Sequence, residues 1–178
     1  MMNDVVTTLE TPRLVLRPLS VDDAVVVQTW ASNPKNVRFM DWGPNTMEET
    51  LVFLASAKPG RDFGVVLKAS GELIGSCGVY PDEAGDTGSL GWILHIDHWG
   101  QGYGTEAAGA LLKYGFETLR LRRVVAICDA DNHASYRVME HHWMRREGLH
   151  KQARWRRGDQ TWADEVVYAM LVHEWCRN

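Results

Sequence analysis

The sequence predicts a single mixed domain of the α/β (α+β) class, spanning 1–178 with its core in about 11–175, and three observations carry that expectation. No Pro/Ser/Gly-rich linker or internal repeat divides the 178 residues, and that length lies inside the roughly 100–200 residues usual for one domain. Three β-rich runs between residues 63 and 96 follow one another closely, as in an antiparallel meander. A Gly-rich turn then leads from strand to helix to a short buried strand, and such a βαβ crossover makes its two strands parallel.

In chain order, Arg13-Leu14-Val15-Leu16-Arg17 alternates and stops at Pro18, which reads as a strand. Ser20 with Asp22 and Asp23 resembles an N-cap with an acidic first turn, so a helix to about Ala31 follows. Thr46 before Glu48 and Glu49 starts a second helix, which ends near Lys58-Pro59-Gly60. Phe63 to Lys68 and Leu73 to Tyr80 form a hairpin about Ala69-Ser70-Gly71, and Leu90, Trp92, Leu94 and Ile96 alternate as its third strand. From Glu106 the period becomes helical, with Ala108, Leu111, Leu112, Phe116 and Leu119 on one face. Val124 to Cys128 is a continuous apolar run, the mark of a strand buried on both sides. A helix over 132–142 leads to two extended segments, Arg145 to Arg156 and Trp162 to Val172, hinged at Gly158-Asp159. The sum is a sheet of about seven strands with about four helices, with loose ends expected only in the first ten or so residues and the last few.

Composition narrows the class. With 45% hydrophobic and 24% charged residues the chain reads as globular, and the longest apolar run, Val166 to Val172, is far short of the ~20 residues a membrane span needs. The N-terminus lacks a basic and apolar leader, so a cytoplasmic protein is expected. Cys77, Cys128 and Cys176 fit neither a disulfide framework nor a zinc pattern and read as reduced, buried thiols. The net charge of −4 argues against a nucleic-acid partner, and the basic residues between Arg145 and Arg157 read as a solvated hairpin face.

Chemistry concentrates in Trp99-Gly100-Gln101-Gly102-Tyr103-Gly104-Thr105-Glu106, where strand gives way to helix. Glycines let the backbone turn tightly and approach a ligand, and the first helical turn offers unpaired N–H groups at the positive end of its dipole, a natural seat for phosphate. The dinucleotide fingerprint fails because the third glycine, Gly104, comes one position early, and a P-loop fails for want of Gly-Lys-Ser/Thr. Glycines that merely shape a turn are the plain alternative.

The stretch from Gly91 to Ala107 closely resembles the acetyl-CoA motif of the GNAT acyltransferase superfamily. Thr11 to Pro18, Asn132-x-x-Ser135-x-Arg137-Val138-x-Glu140 and Trp162-x-Asp164-Glu165-x-x-Tyr168 resemble the branch of ribosomal-protein N-terminal (alanine/serine) acetyltransferases. The resemblance implies a mostly antiparallel sheet with a splayed parallel pair, and acetyl-CoA as co-substrate with no metal. It implies that the pyrophosphate lies on the N–H groups of Gly100, Gln101, Gly102, Tyr103, Gly104 and Thr105, beside Trp99. Pantetheine would slot between the strands of Trp92-Ile93-Leu94 and Val124 to Cys128, near Asn132 and Ser135, with the Leu94 N–H aimed at the thioester carbonyl.

The chain departs from that pattern in places. Trp99 replaces the usual Arg or Gln, and the tyrosine that protonates the CoA thiolate in many members falls at Met139. Ser135 becomes the candidate acid and His95 the candidate base, with Glu140 behind it. Trp143 replaces a helix-ending Gly, so a different local turn is expected there. His141 and His142 lack chelating spacing, and Cys128 lacks a partner that would activate it.

The function expected is N-acetylation of a primary amine by direct transfer in a ternary complex. A protein N-terminal α-amine leads, a small-molecule amine is the alternative, and a non-catalytic CoA-binding module is a reading of another class. A homodimer is an open partner. Residues Trp30 to Trp42 and Arg145 to Trp162 are expected to build the acceptor site, with Arg154, Arg156 and Arg157 at its rim favouring acidic or peptide acceptors over polyamines.

Overall fold

The computed structural model describes residues 7–175, so the expectation for Cys176 and for the outermost ends lies outside the described residues. One eight-stranded sheet runs β1 (Leu9–Glu10), β2 (Leu14–Pro18), β3 (Asp62–Leu67), β4 (Leu73–Pro81), β5 (Thr87–Leu94), β6 (Arg123–Asp129), β8 (Thr161–Leu171), β7 (Arg145–Arg156) across its width. Five helices cover it: α1 (Ala24–Ala31), α2 (Met47–Ser56), α3 (Tyr103–Lys113), α4 (His133–His141) and the short α5 (Val172–Trp175). All adjacent strands are antiparallel except β5 and β6. The extra strand beyond the seven expected is β1, two residues long and paired Leu9 to Leu16, too short to leave a periodic signal.

Local chemistry sets the helix starts. At α2 the Thr46 hydroxyl accepts from the Glu49 N–H while the Glu49 carboxylate accepts from the Thr46 N–H, a reciprocal capping box. Ser20 and Asp23 frame the short 3₁₀ turn before α1, where Arg17 holds Asp23 through two contacts of 2.7 and 2.9 Å. That hydrogen-bonded guanidinium holds the Asp23 carboxyl below the usual range against the opposing effect of burial. After α3 the chain widens into one π turn, Tyr114–Thr118, before β6.

The sheet separates two apolar layers. On one face Leu14, Leu16, Phe63, Val65, Leu111, Leu112, Leu121 and Met139 form the main core beneath α3 and α4. On the other, Val27, Trp30, Val37, Leu54, Leu73 and Ile93 pack beneath α1 and α2. At full burial each such side chain contributes about 1.5–3 kcal/mol, so both helical layers are held chiefly by these faces.

One turn differs from expectation and another matches it. Trp143 keeps the left-handed turn at the end of α4 with φ of +59°, and the Met144 N–H returns to the Met139 carbonyl at 3.0 Å. The turn is therefore not remodelled; the tryptophan accepts the conformation that glycine adopts freely, while its ring stays exposed. The β7–β8 hairpin turns through Gly158-Asp159 as expected, with Gln160 taking the left-handed conformation. Trp143→Gly should stabilise the fold by about 0.5–1 kcal/mol, because the strain goes and little buried surface is lost. A lower urea midpoint for the variant would contradict this account.

Candidate active site

The site begins where two parallel strands part. β5 and β6 pair from Thr87↔Arg123 to Leu90↔Ala126, after which β5 continues to Leu94 and β6 to Asp129 without pairing to each other. On its other edge β5 stays tied to β4 as far as Gly75↔Leu94. Bonds from Asp82 N–H to Thr87 O and from His95 N–H to Ile74 O, both 2.7 Å, fix which residues point at β4. By strand alternation the N–H and C=O of Trp92 and Leu94 therefore face the gap.

The end of β5 is held by side chains from elsewhere. The Leu94 carbonyl accepts from Asn36 Nδ2 at 2.6 Å and from Trp99 Nε1 at 2.8 Å, while Asn36 Oδ1 accepts from the Ile96 N–H at 3.3 Å. Asn36 is buried, so it spends both ends of its amide fixing the bend that leaves β5. Trp99 thus has a structural task in addition to its place in the motif.

From that bend the chain enters the glycine turn. Gly100 and Gly102 have φ of +73° and +79°, and Gly102 is the N-cap of α3. The N–H groups from Gly100 through Thr105 have no hydrogen-bond partner among the described residues; the first helical bond runs from Glu106 N–H to Gly102 O. Gly104 differs, since a Cβ there would meet Leu94, Val138 and Trp92 at ordinary contact distances of 3.8–4.0 Å, so this position faces β5 and α4 without requiring glycine.

Arg13, at the entrance to β2, was quoted in the motif without a role. It donates to the Gln101 carbonyl at 3.0 Å, pairs with Glu106 at 2.6 Å and stacks over Tyr103 at 4.6 Å. Burial raises the Glu106 pKa, but the Thr11 hydroxyl, the Arg13 N–H and its guanidinium outweigh that and hold it lowered. His142, dismissed as a metal ligand, instead ties α4 to α3: its Nε2 lies 2.7 Å from the Thr105 carbonyl, and its ring covers Gly109. Burial depresses its pKa. Neither role shows in a local pattern, because the partners of both residues lie far along the chain, in the glycine turn and the first turn of α3.

The other candidates fall in different places. Asn132 caps α4, its Oδ1 accepting from the Ser135 N–H at 3.2 Å, so the pair stands at the helix start that follows β6. The Ser135 hydroxyl makes no hydrogen bond among the described residues. Met139 is buried in the core and Tyr136 donates to the Ala130 carbonyl. His95 Nδ1 accepts from the Asp97 N–H at 3.2 Å, and its ring lines a hollow with Arg17, Asp23 and His98 that is separate from Trp92 and Ile93. Glu140 accepts from the Tyr168 hydroxyl at 2.9 Å. Burial pushes the Cys128 thiol up to about 12, which removes it as a nucleophile at neutral pH.

On the α1/α2 face a cleft of about 400 Å³ opens over β4 and β5, lined by Val27, Trp30, Met40, Trp42, Phe53 and Tyr80 above Gly91, Trp92 and Ile93. Its floor is the stretch of β5 whose far edge is unpaired. Arg154 to Arg157 contribute no lining. Their charges are spent internally: Arg156 on Asp129 at 2.6 Å and on Asp131, Arg157 on Glu49 at 2.7 Å, Arg154 near Glu165 at 3.6 Å. The basic rim expected for the acceptor site is therefore an ion-paired brace between the β7–β8 hairpin and its neighbours.

A family model for the acetyltransferase (GNAT) domain matches residues 13–145. The chain belongs to the GNAT family. It is 34% identical over 169 residues to the uncharacterized N-acetyltransferase YnaD of Bacillus subtilis, covering 94% of this chain and 98% of that one. A crystal structure of a GNAT acetyltransferase from Bacillus anthracis is 32% identical with a TM-score of 0.87, covering 94% of this chain and all (100%) of that one. The ribosomal-protein-S5-alanine acetyltransferase of Vibrio fischeri shares the fold with a TM-score of 0.78 at 18% identity, covering 95% and 98% of the two chains. This GNAT chain is thus an acetyl-CoA-dependent N-acetyltransferase on a mixed sheet with one parallel pair.

Asn36→Ala should destabilise the fold by about 1 kcal/mol or more, since the Leu94 carbonyl loses a buried donor and the partly buried Ile96 N–H loses its acceptor. It should also lower kcat more than it raises the KM for acetyl-CoA, because the bend beside Leu94 loosens while the glycine turn persists. Urea unfolding and steady-state kinetics check the two effects; unchanged kcat would separate Asn36 from the site.

Proposed function

We propose that this acetyltransferase passes the acetyl group directly from acetyl-CoA to a primary amine seated in the α1/α2 cleft. The observation that carries the reading is the coincidence of three features on one strand segment. Residues Gly91 to Leu94 run along an open gap on one edge, with Gly91 to Ile93 flooring the cleft, and lead within a few residues to a run of unpartnered N–H groups.

In this reading the pyrophosphate sits on the N–H groups of Gly100 to Thr105, where the α3 dipole favours negative charge and Arg13, itself paired with Glu106, holds the turn through the Gln101 carbonyl. Pantetheine runs along the gap, pairing with the N–H and C=O of Trp92 as an added strand and leaving the Leu94 N–H for the thioester. The neutral amine attacks the thioester carbon and the Leu94 N–H stabilises the oxyanion. The C–S bond then breaks, the amine proton leaves to water, and the thiolate takes a proton from the Ser135 hydroxyl or from water. His95 supports this chemistry least, since its Nδ1 is occupied as a cap and its ring lies outside the cleft. The cleft volume suits a small amine or the terminal residue of a peptide. A cytoplasmic setting and a single domain over 1–178 accompany the reading. Among the described residues no helix is long and apolar enough to cross a membrane.

Acetyl-CoA at a hundredfold excess over Kd should stabilise the folded chain by about 2.7 kcal/mol, read as a rise in Tm. Gly102→Glu should abolish that rise, since it places a charged side chain in the phosphate seat beside Arg13. No shift with the unaltered protein would sink the reading. Ser135→Ala should lower kcat with little change in acetyl-CoA binding, and an equal kcat would assign the proton to water.

A further inference from the structure

The far end of the cleft from the strand gap holds one carboxylate, Asp62, in a lining that is otherwise uncharged and, apart from Asn45, Ser76 and the Tyr80 hydroxyl, apolar or aromatic. Its placement is built from the sheet. Asp62 pairs with Gly78 and Gly78 with Gly91, so the three lie in one row, with Asp62 two strands, or about 10 Å, from the cleft floor at Gly91. The missing side chains at Gly78 and Gly91 let the Tyr80 ring lie across that row. A Cβ at Gly78 would stand 2.4 Å from the Tyr80 hydroxyl, and one at Gly91 would touch its ring at 3.8 Å.

So laid, the Tyr80 hydroxyl donates to Asp62 Oδ1 at 2.9 Å, and the Lys58 N–H donates to Asp62 Oδ2 at the same distance of 2.9 Å. These two bonds orient the carboxylate and leave lone pairs on both oxygens. Asp62 forms no ion pair among the described residues; the adjacent Arg61 lies 5.7 Å from the Tyr80 ring centroid and does not bridge to it. An oriented carboxylate without a counter-ion, beside the faces of Tyr80, Phe53 and Trp42, matches a cation in both charge and aromatic surface.

We propose that the acceptor is a small amine bearing a second cationic group, and that Asp62, oriented by Tyr80, binds that group while the other amine lies at the β5 floor. Asp62 is then a specificity-determining residue, too distant from the gap to act on the reacting atoms. This rests on the acetyl-transfer reading above and names its substrate class. It also reverses the preference against polyamines drawn from the basic hairpin, whose cations are already paired.

The test compares cadaverine with n-hexylamine, similar in length and differing in the distal charge, by CoA release. The unaltered enzyme should favour cadaverine by roughly tenfold or more in kcat/KM. Asp62→Asn should erase that preference through the KM for cadaverine, leaving n-hexylamine within about twofold, and Tyr80→Phe should fall between. No preference in the unaltered enzyme, or the same preference in Asp62→Asn, overturns the proposal; so does turnover confined to peptide amines. Should Asp62→Asn fail to fold, the unaltered protein with CoA decides: a larger Tm rise with cadaverine than with n-hexylamine supports the proposal, and equal rises overturn it. Absence of any acetyl-CoA-induced Tm shift would instead fail the underlying acetyl-transfer reading.

Discussion

Everything distinctive in this molecule follows from two parallel strands that part company. Once β5 and β6 stop pairing after Leu90 and Ala126, each needs another anchor, or its free end would fray. β5 leans on β4 and on the Asn36 and Trp99 bonds to the Leu94 carbonyl. β6 leans on β8 as far as Asp129↔Glu165, and the fully buried Asp129 is gripped by Arg156 from β7. An unpaired charge at Asp129 would cost several kcal/mol, so the ion pair holds the open geometry in place as much as it stabilises the fold. The gap is a rigid feature because both of its lips are fastened from outside.

Legibility in the sequence followed the range of the interactions. The capping box at Thr46 and Glu49, the alternation of β5 and the helical period after Glu106 are local patterns, and the structure shows them where they were expected. The glycine turn was legible both as turn chemistry and as a family motif. Asn36 was not, because a polar residue in a loop announces nothing until its partners at Leu94 and Ile96, some sixty positions on, are folded beside it. The same holds for Arg13 with Glu106 and for His142 with Thr105.

The basic hairpin shows the reverse error, a local pattern given too much weight. Arginines clustered between Arg145 and Arg157 look like a cationic surface when counted along the chain. In the fold they meet Glu147 and Glu174, Asp129 and Asp131, and Glu49, the last lying 108 positions away. Arg123 and Arg145 together hold the Glu147 carboxyl down to about 2. Charge therefore has to be counted around a cleft and not along a segment, and among the described residues that line this cleft Asp62 is the one that carries a charge.

The two described thiols carry a practical corollary. Cys77 and Cys128 sit buried on β4 and β6, and burial drives both pKa values upward, to about 12 for Cys128. The thiol form therefore dominates at neutral pH, and the thiolate is the form that reacts with disulfide or maleimide reagents. Labelling of either residue thus requires the sheet itself to open. Those two positions serve as built-in clocks for local unfolding, Cys128 on the β6 lip of the gap and Cys77 on β4, the strand that backs the β5 lip.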